Sequence, residues 1–295
     1  MKLLLAAALF LPRAVIAAAS VAAVDDVGSR VELTAPARRI VSLAPHVSEL
    51  MFAAGAGDRL IGADEFSDYP AAAKALPRIG RAGALDVERI AMLKPDLVIA
   101  WGSGNVAGQV AQLRRLGIPV FVSEPRRPED VARTLRRFGA LAGTADTAEQ
   151  AARGFESAWA DLELRYAGRT PVGVFYQIWD KPLMTVNGAH LINRMIETCG
   201  GRNVFAALPQ LAATVDIEAV LRADPQLIIG SGADEQRPAW LDDWKRWPRL
   251  RAVRDGHLHD VPPQLVQRHG PRLVEGARRL CEAIDRARTP GQVGK

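Results

Sequence analysis

Two stretches of the chain repeat one another at a fixed offset. Val87-Glu88-Arg89-Ile90 leads into Lys94-Pro95-Asp96-Leu97-Val98-Ile99-Ala100, and Ile217-Glu218-Ala219-Val220 leads into Asp224-Pro225-Gln226-Leu227-Ile228-Ile229-Gly230. Both 217 − 87 and 225 − 95 equal 130, so no residue is gained or lost between the two blocks. Each copy predicts a short helix stopped by a proline, a wholly apolar strand, and a glycine-rich turn, Gly102-Ser103-Gly104 or Gly230-Ser231-Gly232, where the strand end opens to solvent. A strand that is apolar on both faces belongs in a parallel sheet covered by helices. Two such units place their turns on facing edges, and a crevice between lobes is a natural place to hold a small molecule.

The pattern on either side is an α/β alternation. Strands are expected at 31–33, 39–43, 60–62, 97–100 and 120–122, with helices from Ser48 (as N-cap) to the Gly55-Ala56-Gly57 stop, over 106–116 and over 128–141. From 147 to 166 one uninterrupted helix is predicted, with Ala151, Phe155, Ala158, Trp159, Leu162 and Tyr166 at helical spacing. Such a helix can run across the back of both lobes and limit how far they swing apart. A second lobe then follows, with a strand over 172–176, a helix over 191–199, the repeated unit, a strand over 258–261 and a last helix over 271–287. Trp240, Trp244 and Trp247 share one helix with Leu241 and read as packing residues. The fold expected is α/β, two Rossmann-like lobes with parallel-rich sheets joined by one long α-helix. Its boundaries are 1–23 for a signal peptide, 24–145 for the N-terminal lobe, 146–168 for the linking helix and 169–290 for the C-terminal lobe.

At 295 residues the chain is long enough for two ordinary domains. Its net charge of +5 is spread among neighbouring acids, and the one basic run, Arg126-Arg127 with Arg133, Arg136 and Arg137, reads as an exposed helix face, which argues against a nucleic-acid partner. Lys2, the apolar run from Leu3 to Leu11 and the small residues Ala17, Ala18, Ala22 and Ala23 form the pattern of a cleavable secretory signal. No other stretch approaches a membrane span, and no cysteine near the cleavage region could carry a lipid, so a periplasmic destination is expected. Cys199 and Cys281 are the only cysteines; in an oxidising compartment they suit either one disulfide or two separate buried thiols.

Catalytic signatures are missing: there is no Gly-x-Ser-x-Gly, no Gly-x-x-x-x-Gly-Lys, no Cys-x-x-Cys and no His-Glu-x-x-His, so an enzyme is not expected. His46 with Glu49 and His257 with His259 are spaced as metal-ligand pairs, but neither has a third ligand in view and no metal site is expected. Aromatic side chains stand where strands end: Phe66, Tyr69, Trp101, Tyr176 and Trp179. Rigid aromatic faces on loops suit a bulky, flat or ring-rich ligand.

Several longer motifs then come into view: Ser48-Glu49-Leu50-x-Phe52-Ala53-Ala54-Gly55, Ser67-Asp68-Tyr69-Pro70, Glu88-Arg89-Ile90 through Trp101, Glu197-x-Cys199-Gly200-Gly201-x-Asn203, and Pro271-Arg272 with Leu280-Cys281. On these the chain resembles the periplasmic cobalamin-binding proteins of ABC importers, class III binding proteins in a wider group that also serves ferric siderophores and haem. The resemblance implies that Tyr69, Trp101 and Arg268 contact a corrinoid, and that Glu49 and Glu197 dock on the permease dimer of an importer with its ATPase subunits. It also implies that Cys199 pairs with Cys281. A monomer without a cofactor of its own is expected, its small-molecule ligand being cargo. Ala82, Ala212 and Gln264 depart from the family's bulkier or acidic cleft residues, and Trp179 could supply replacement area. As an alternative cargo, haem would find iron-binding chemistry in His46, Tyr69 and His269, and an anionic iron chelate or the haem propionates would suit Arg81 or Arg268.

Overall fold

The computed structural model describes residues 20–232 and 236–289. An antiparallel hairpin of β1 (Val21–Val24) and β2 (Arg30–Leu33) opens the fold. The N-terminal lobe follows with β3 (Ile40–Ser42), α1 (Pro45–Ala53), β4 (Leu60–Ala63), a small hairpin of β5 (Gly80–Arg81) and β6 (Ala84–Leu85), α2 (Val87–Met92), β7 (Leu97–Trp101), α3 (Ala107–Arg115), β8 (Val120–Ser123) and α4 (Pro128–Ala142). Its sheet has the order β4-β3-β7-β8 and every pairing is parallel. The signal-peptide boundary at 23 falls inside a paired strand, since Ala22 and Ala23 face Glu32 and Val31 across the first hairpin. Residues 1–19, which hold the rest of that expected segment, lie outside the described residues.

The second lobe comprises β9 (Val172–Asp180), β10 (Leu183–Val186), α6 (Leu191–Thr198), β11 (Gly201–Asn203), β12 (Ala212–Thr214), α7 (Ile217–Ala223), β13 (Leu227–Gly230), α8 (Arg251–Arg254), β14 (Leu258–Asp260), α9 (Pro263–Val266) and α10 (Leu273–Arg286). β9 pairs in parallel with β11 and β13, and β13 with β14, while β10 and β12 add an antiparallel flank.

The repeat survives down to backbone conformation. β7 lies between β3 and β8 as β13 lies between β9 and β14. Asp86 caps α2 by accepting the Arg89 N–H and Asp216 caps α7 by accepting the Ala219 N–H, and 216 − 86 is again 130. Among the described residues only two non-glycines take a positive φ, Lys94 at 49° and Asp224 at 39°, also 130 apart. A left-handed residue reverses the chain after the helix, and the proline that follows cannot extend it.

Joining the lobes is α5 (Ala145–Tyr166), 22 residues that span about 33 Å at 1.5 Å per residue. It buries Ala148, Ala152, Phe155, Trp159, Leu162 and Tyr166 in a single core cluster that continues into both sheets. Gly143, at φ 68°, ends α4 and turns the chain back so that α4 and α5 pack side by side. Cys199, at the end of α6, is bonded to Cys281 in α10 with 4.6 Å between Cα atoms, so the pairing implied by the resemblance is present.

Three local expectations change. α1 begins at Pro45 rather than after Ser48, because proline at the first turn loses no hydrogen bond; the Ser48 hydroxyl instead turns inward to Ser42 and Ser67, 2.9 Å from each. β9 runs to Asp180, which puts Trp179 on the strand and leaves Tyr176 fully buried, not a cleft wall. The tryptophan segment is a 3-10 helix, Ala239–Arg246, in which buried Trp244 donates its indole N–H to Gln177 at 2.8 Å and Trp240 packs over Gly230. The second copy's turn is therefore covered from elsewhere in the chain, with Ser231 buried.

Candidate functional site

The C-terminal ends of the parallel strands in the first lobe point toward the loop between α9 and α10 in the second. After β4, the loop 64–69 is tied down by buried Asp64, whose carboxylate accepts the Phe66 N–H at 2.8 Å, and by Arg78, which donates to the carbonyls of Asp64 and Ser67. Burial, the main influence, raises the Asp64 pKa. This frame leaves Phe66 and Tyr69 exposed at the loop's edge, ahead of a cis peptide between Tyr69 and Pro70.

Trp101 ends β7 and folds back over its own turn. A Cβ on Gly104 would lie 1.8 Å from the indole, so glycine is what gives the ring its place. The Asn105 carboxamide holds the turn by accepting the Trp101 N–H at 2.6 Å. The ring is thus half-buried and packs edge-on against His46 at 5.4 Å. His46 enters from the first turn of α1, and the His269 ring faces it from the other lobe at 6.3 Å; His190, at the cap of α6, stands 6.3 Å beyond His269. Burial chiefly, then the neighbouring His269 and Arg268, lowers the His46 pKa to about 3, and burial with His269 lowers His190 to about 4. Buried His46 Nε2, Trp101 Nε1 and His269 Nδ1 have no hydrogen-bond partner in the protein. Among the described residues no three or more His, Cys, Asp or Glu side chains form an arrangement that could hold a metal ion.

Next to the imidazoles, four charged groups bridge the lobes. Glu49, 3% exposed, accepts from Arg272 at 2.6 and 2.9 Å and from Arg268 at 3.2 Å. Arg268 also donates to Asp68 at 2.5 and 3.3 Å and to the Phe66 carbonyl at 3.3 Å. The Arg272 guanidinium sits 4.1 Å over the Tyr69 ring, a cation–π contact. Burial works hardest against the Asp68 carboxylate, but the hydrogen bond and charge of Arg268 prevail and hold its pKa below the usual range.

Of the expected site residues, His46, Phe66, Tyr69, Trp101 and Arg268 therefore come together, with His269 beside them. Trp179 is exposed at the far end of β9, where its indole donates to the Lys181 carbonyl at 3.2 Å. Glu49, expected to dock on a permease, is 3% exposed and enclosed by two arginines of the opposite lobe, because α1 turns this side of the helix inward. Glu197 is exposed on α6, and among the described residues its side chain is bound by Asn193 at 2.9 Å and loosely by Arg194 at 3.6 Å. Arg272 and Asp68 belong to motifs already noted, yet nothing in the sequence pairs them with residues about 200 positions away. The basic helix face is engaged as well: Arg136 binds Glu149 and Glu156, Arg137 binds Asp26, and Arg133 binds Asp130.

Known proteins resemble this chain in sequence and fold. The sequence pattern of the periplasmic binding protein family matches residues 40–265. A vitamin B12-binding protein of Vibrio cholerae serotype O1 is 34% identical over 247 residues, covering 83% of this chain and 88% of that protein. The crystal structure of the periplasmic vitamin B12 binding protein BtuF of Vibrio cholerae superposes with a TM-score of 0.80 at 32% identity, covering 86% of this chain and 99% of that one. The periplasmic heme-binding protein RhuT from Roseiflexus sp. RS-1 in apo form shares the fold, with a TM-score of 0.74 at 24% identity over 85% and 99% of the two chains.

Proposed function

This chain belongs to the periplasmic binding protein family, and on that premise we propose that it captures a corrinoid, cobalamin, in the inter-lobe cleft and delivers it to an ABC importer without a chemical step. The observation that carries the reading is the convergence of Phe66, Tyr69, Trp101 and Arg268 from two lobes in a chain that matches vitamin B12-binding relatives over most of its length. The aromatic faces would cover the flat rim of the macrocycle, with Arg268 on its polar periphery and Trp179 closing from the strand edge. Haem is the second reading, favoured by neutral His46, which is buried, and His269, which is half-buried, whose free nitrogens could ligate iron. An absorption spectrum of the protein as isolated, followed by calorimetry with cyanocobalamin and haemin, separates the two. Submicromolar haemin binding with no response to cyanocobalamin would refute the corrinoid.

In this reading the protein reaches the periplasm through a leader that ends before Val21, at Ala17 or Ala18, since β1 must be kept. No helix among the described residues is long and apolar enough to cross a membrane. The importer partner, a permease dimer with ATPase subunits, needs one carboxylate at equivalent places on each lobe for two-point engagement of a single monomer. Glu88 and Glu218 meet that requirement in place of Glu49: both are exposed in the first turn of a repeat helix, 130 residues apart, and neither forms an ion pair among the described residues. Glu197 is the remaining candidate on the second lobe. Glu88→Ala with Glu218→Ala should leave cobalamin affinity unchanged and abolish uptake in cells; normal uptake rules the pair out.

A further inference from the structure

The four inter-lobe charges divide into a fixed pair and an exchangeable pair. Glu49 and Arg272 are the fixed pair: the carboxylate is buried, the contact is two-pronged, and the guanidinium is held again over Tyr69. Removing Glu49 from it would strand two arginines that are each only 18% exposed at the side chain. Arg268 has a different set of partners. Its hold on Glu49 and on the Phe66 carbonyl keeps it aimed, while its closest partner, Asp68, lies on the loop after β4 with a side chain that is 52% exposed. An ion pair with one end half in water is cheap to break.

We propose that Asp68 holds on Arg268 the place of an anionic oxygen of the cargo, and that this exchange makes the cleft prefer corrinoids bearing the phosphodiester of the nucleotide loop over those that lack it. The inference rests on the corrinoid reading. Its core is a charge balance. Two carboxylates and two guanidiniums, Glu49, Asp68, Arg268 and Arg272, sum to zero, whereas with Asp68 swung out the cluster carries one positive charge. A phosphodiester brings one negative charge and two acceptor oxygens in the forked geometry a guanidinium fits, so the exchange conserves both charge and hydrogen bonds. A neutral amide side chain restores the hydrogen bonds and not the charge. The exchange site lies beside exposed Phe66 and Tyr69, so the same movement that frees Arg268 leaves the aromatic faces available.

The test is calorimetric titration of the full protein with cyanocobalamin and with dicyanocobinamide, which keeps the corrin ring and lacks the phosphodiester. The wild type should favour cyanocobalamin. Asp68→Ala should tighten cyanocobalamin by about two- to fivefold, the measured worth of an exposed ion pair, and leave dicyanocobinamide within about twofold. Arg268→Gln should bring the two ligands to equal affinity. Because Arg268→Gln also loosens the lobe contact, Asp68→Asn serves as a milder second variant and should shift cyanocobalamin in the same direction as Asp68→Ala. Equal wild-type affinities, or a cyanocobalamin affinity that does not rise in either Asp68 variant, overturns this inference and leaves the corrinoid reading standing. A wild type that binds neither ligand overturns that reading and this inference with it.

Discussion

Replacing Glu49 by glutamine distinguishes an interior pin from a docking group. Glutamine keeps the shape of the side chain, removes its charge and puts an amide donor where Arg272 or Arg268 now donates. Three charge-assisted hydrogen bonds, at 2.6, 2.9 and 3.2 Å, are disturbed and two guanidiniums lose their shared anion. Breaking a fully buried ion pair costs about 3–5 kcal/mol. Both arginine side chains retain 18% exposure, so water recovers part of this, and a loss of about 2–3 kcal/mol is expected. For a chain of this size 1 kcal/mol moves the melting temperature by about 2–4 °C, which gives a fall of about 4–12 °C. Thermal unfolding followed by circular dichroism measures it, with Glu218→Gln as the exposed control, expected to stay within about 0.5 kcal/mol of wild type. If Glu49→Gln melts within 1 °C of its control, about the error of the method, the carboxylate is not holding the lobes together and the inter-lobe network has been misread.

Acid should loosen the same region well before the carboxylates titrate. His46 and His190 are held at about 3 and about 4 in the folded protein against 6.5 when unfolded. The unfolded chain therefore binds more protons below pH 6.5, and stability falls with falling pH until the folded values are reached. Each histidine should cost about 2 kcal/mol between pH 6.5 and 5, and His46→Gln should remove its share of that slope in urea titrations at the two pH values; an unaltered slope would show that His46 is not buried neutral. The Cys199–Cys281 bond closes a separation of 82 residues, for which chain entropy predicts about 4–5 kcal/mol, less in practice. Cys199→Ala with Cys281→Ala should lose about 3–4 kcal/mol in guanidinium unfolding, and dithiothreitol should destabilise the wild type alone; a loss under about 1 kcal/mol contradicts a closed bond.

Much of the α/β frame was legible because its signals are local. A doubly apolar strand such as the one from Leu97 carries its own burial, and the proline after Lys94 or Asp224 stops a helix wherever it occurs. The place of Trp101 at a strand end was legible, but not the half-covering of its ring by its own turn and by His46. The inward orientation of Ser48 and Glu49 was not legible, for one reason. Helix periodicity gives the spacing of residues around an axis and not which side will meet another element, and α1 begins a turn earlier than a serine cap implies.

That the chain is two copies of one α/β plan, linked by a helix and equipped with two cysteines, can be read from residue order, because propensity and period are properties of neighbouring residues and the 130-residue offset is found by counting. What the two copies do to each other cannot be read there. Glu49 and Asp68 meet Arg268 and Arg272 about 200 residues away because a helix of about 33 Å sets the lobes face to face, and a charge far off in sequence has no local pattern to announce it. Whether a carboxylate is a solvated handle or a buried pin depends on what packs over it, and at Glu49 the other lobe does.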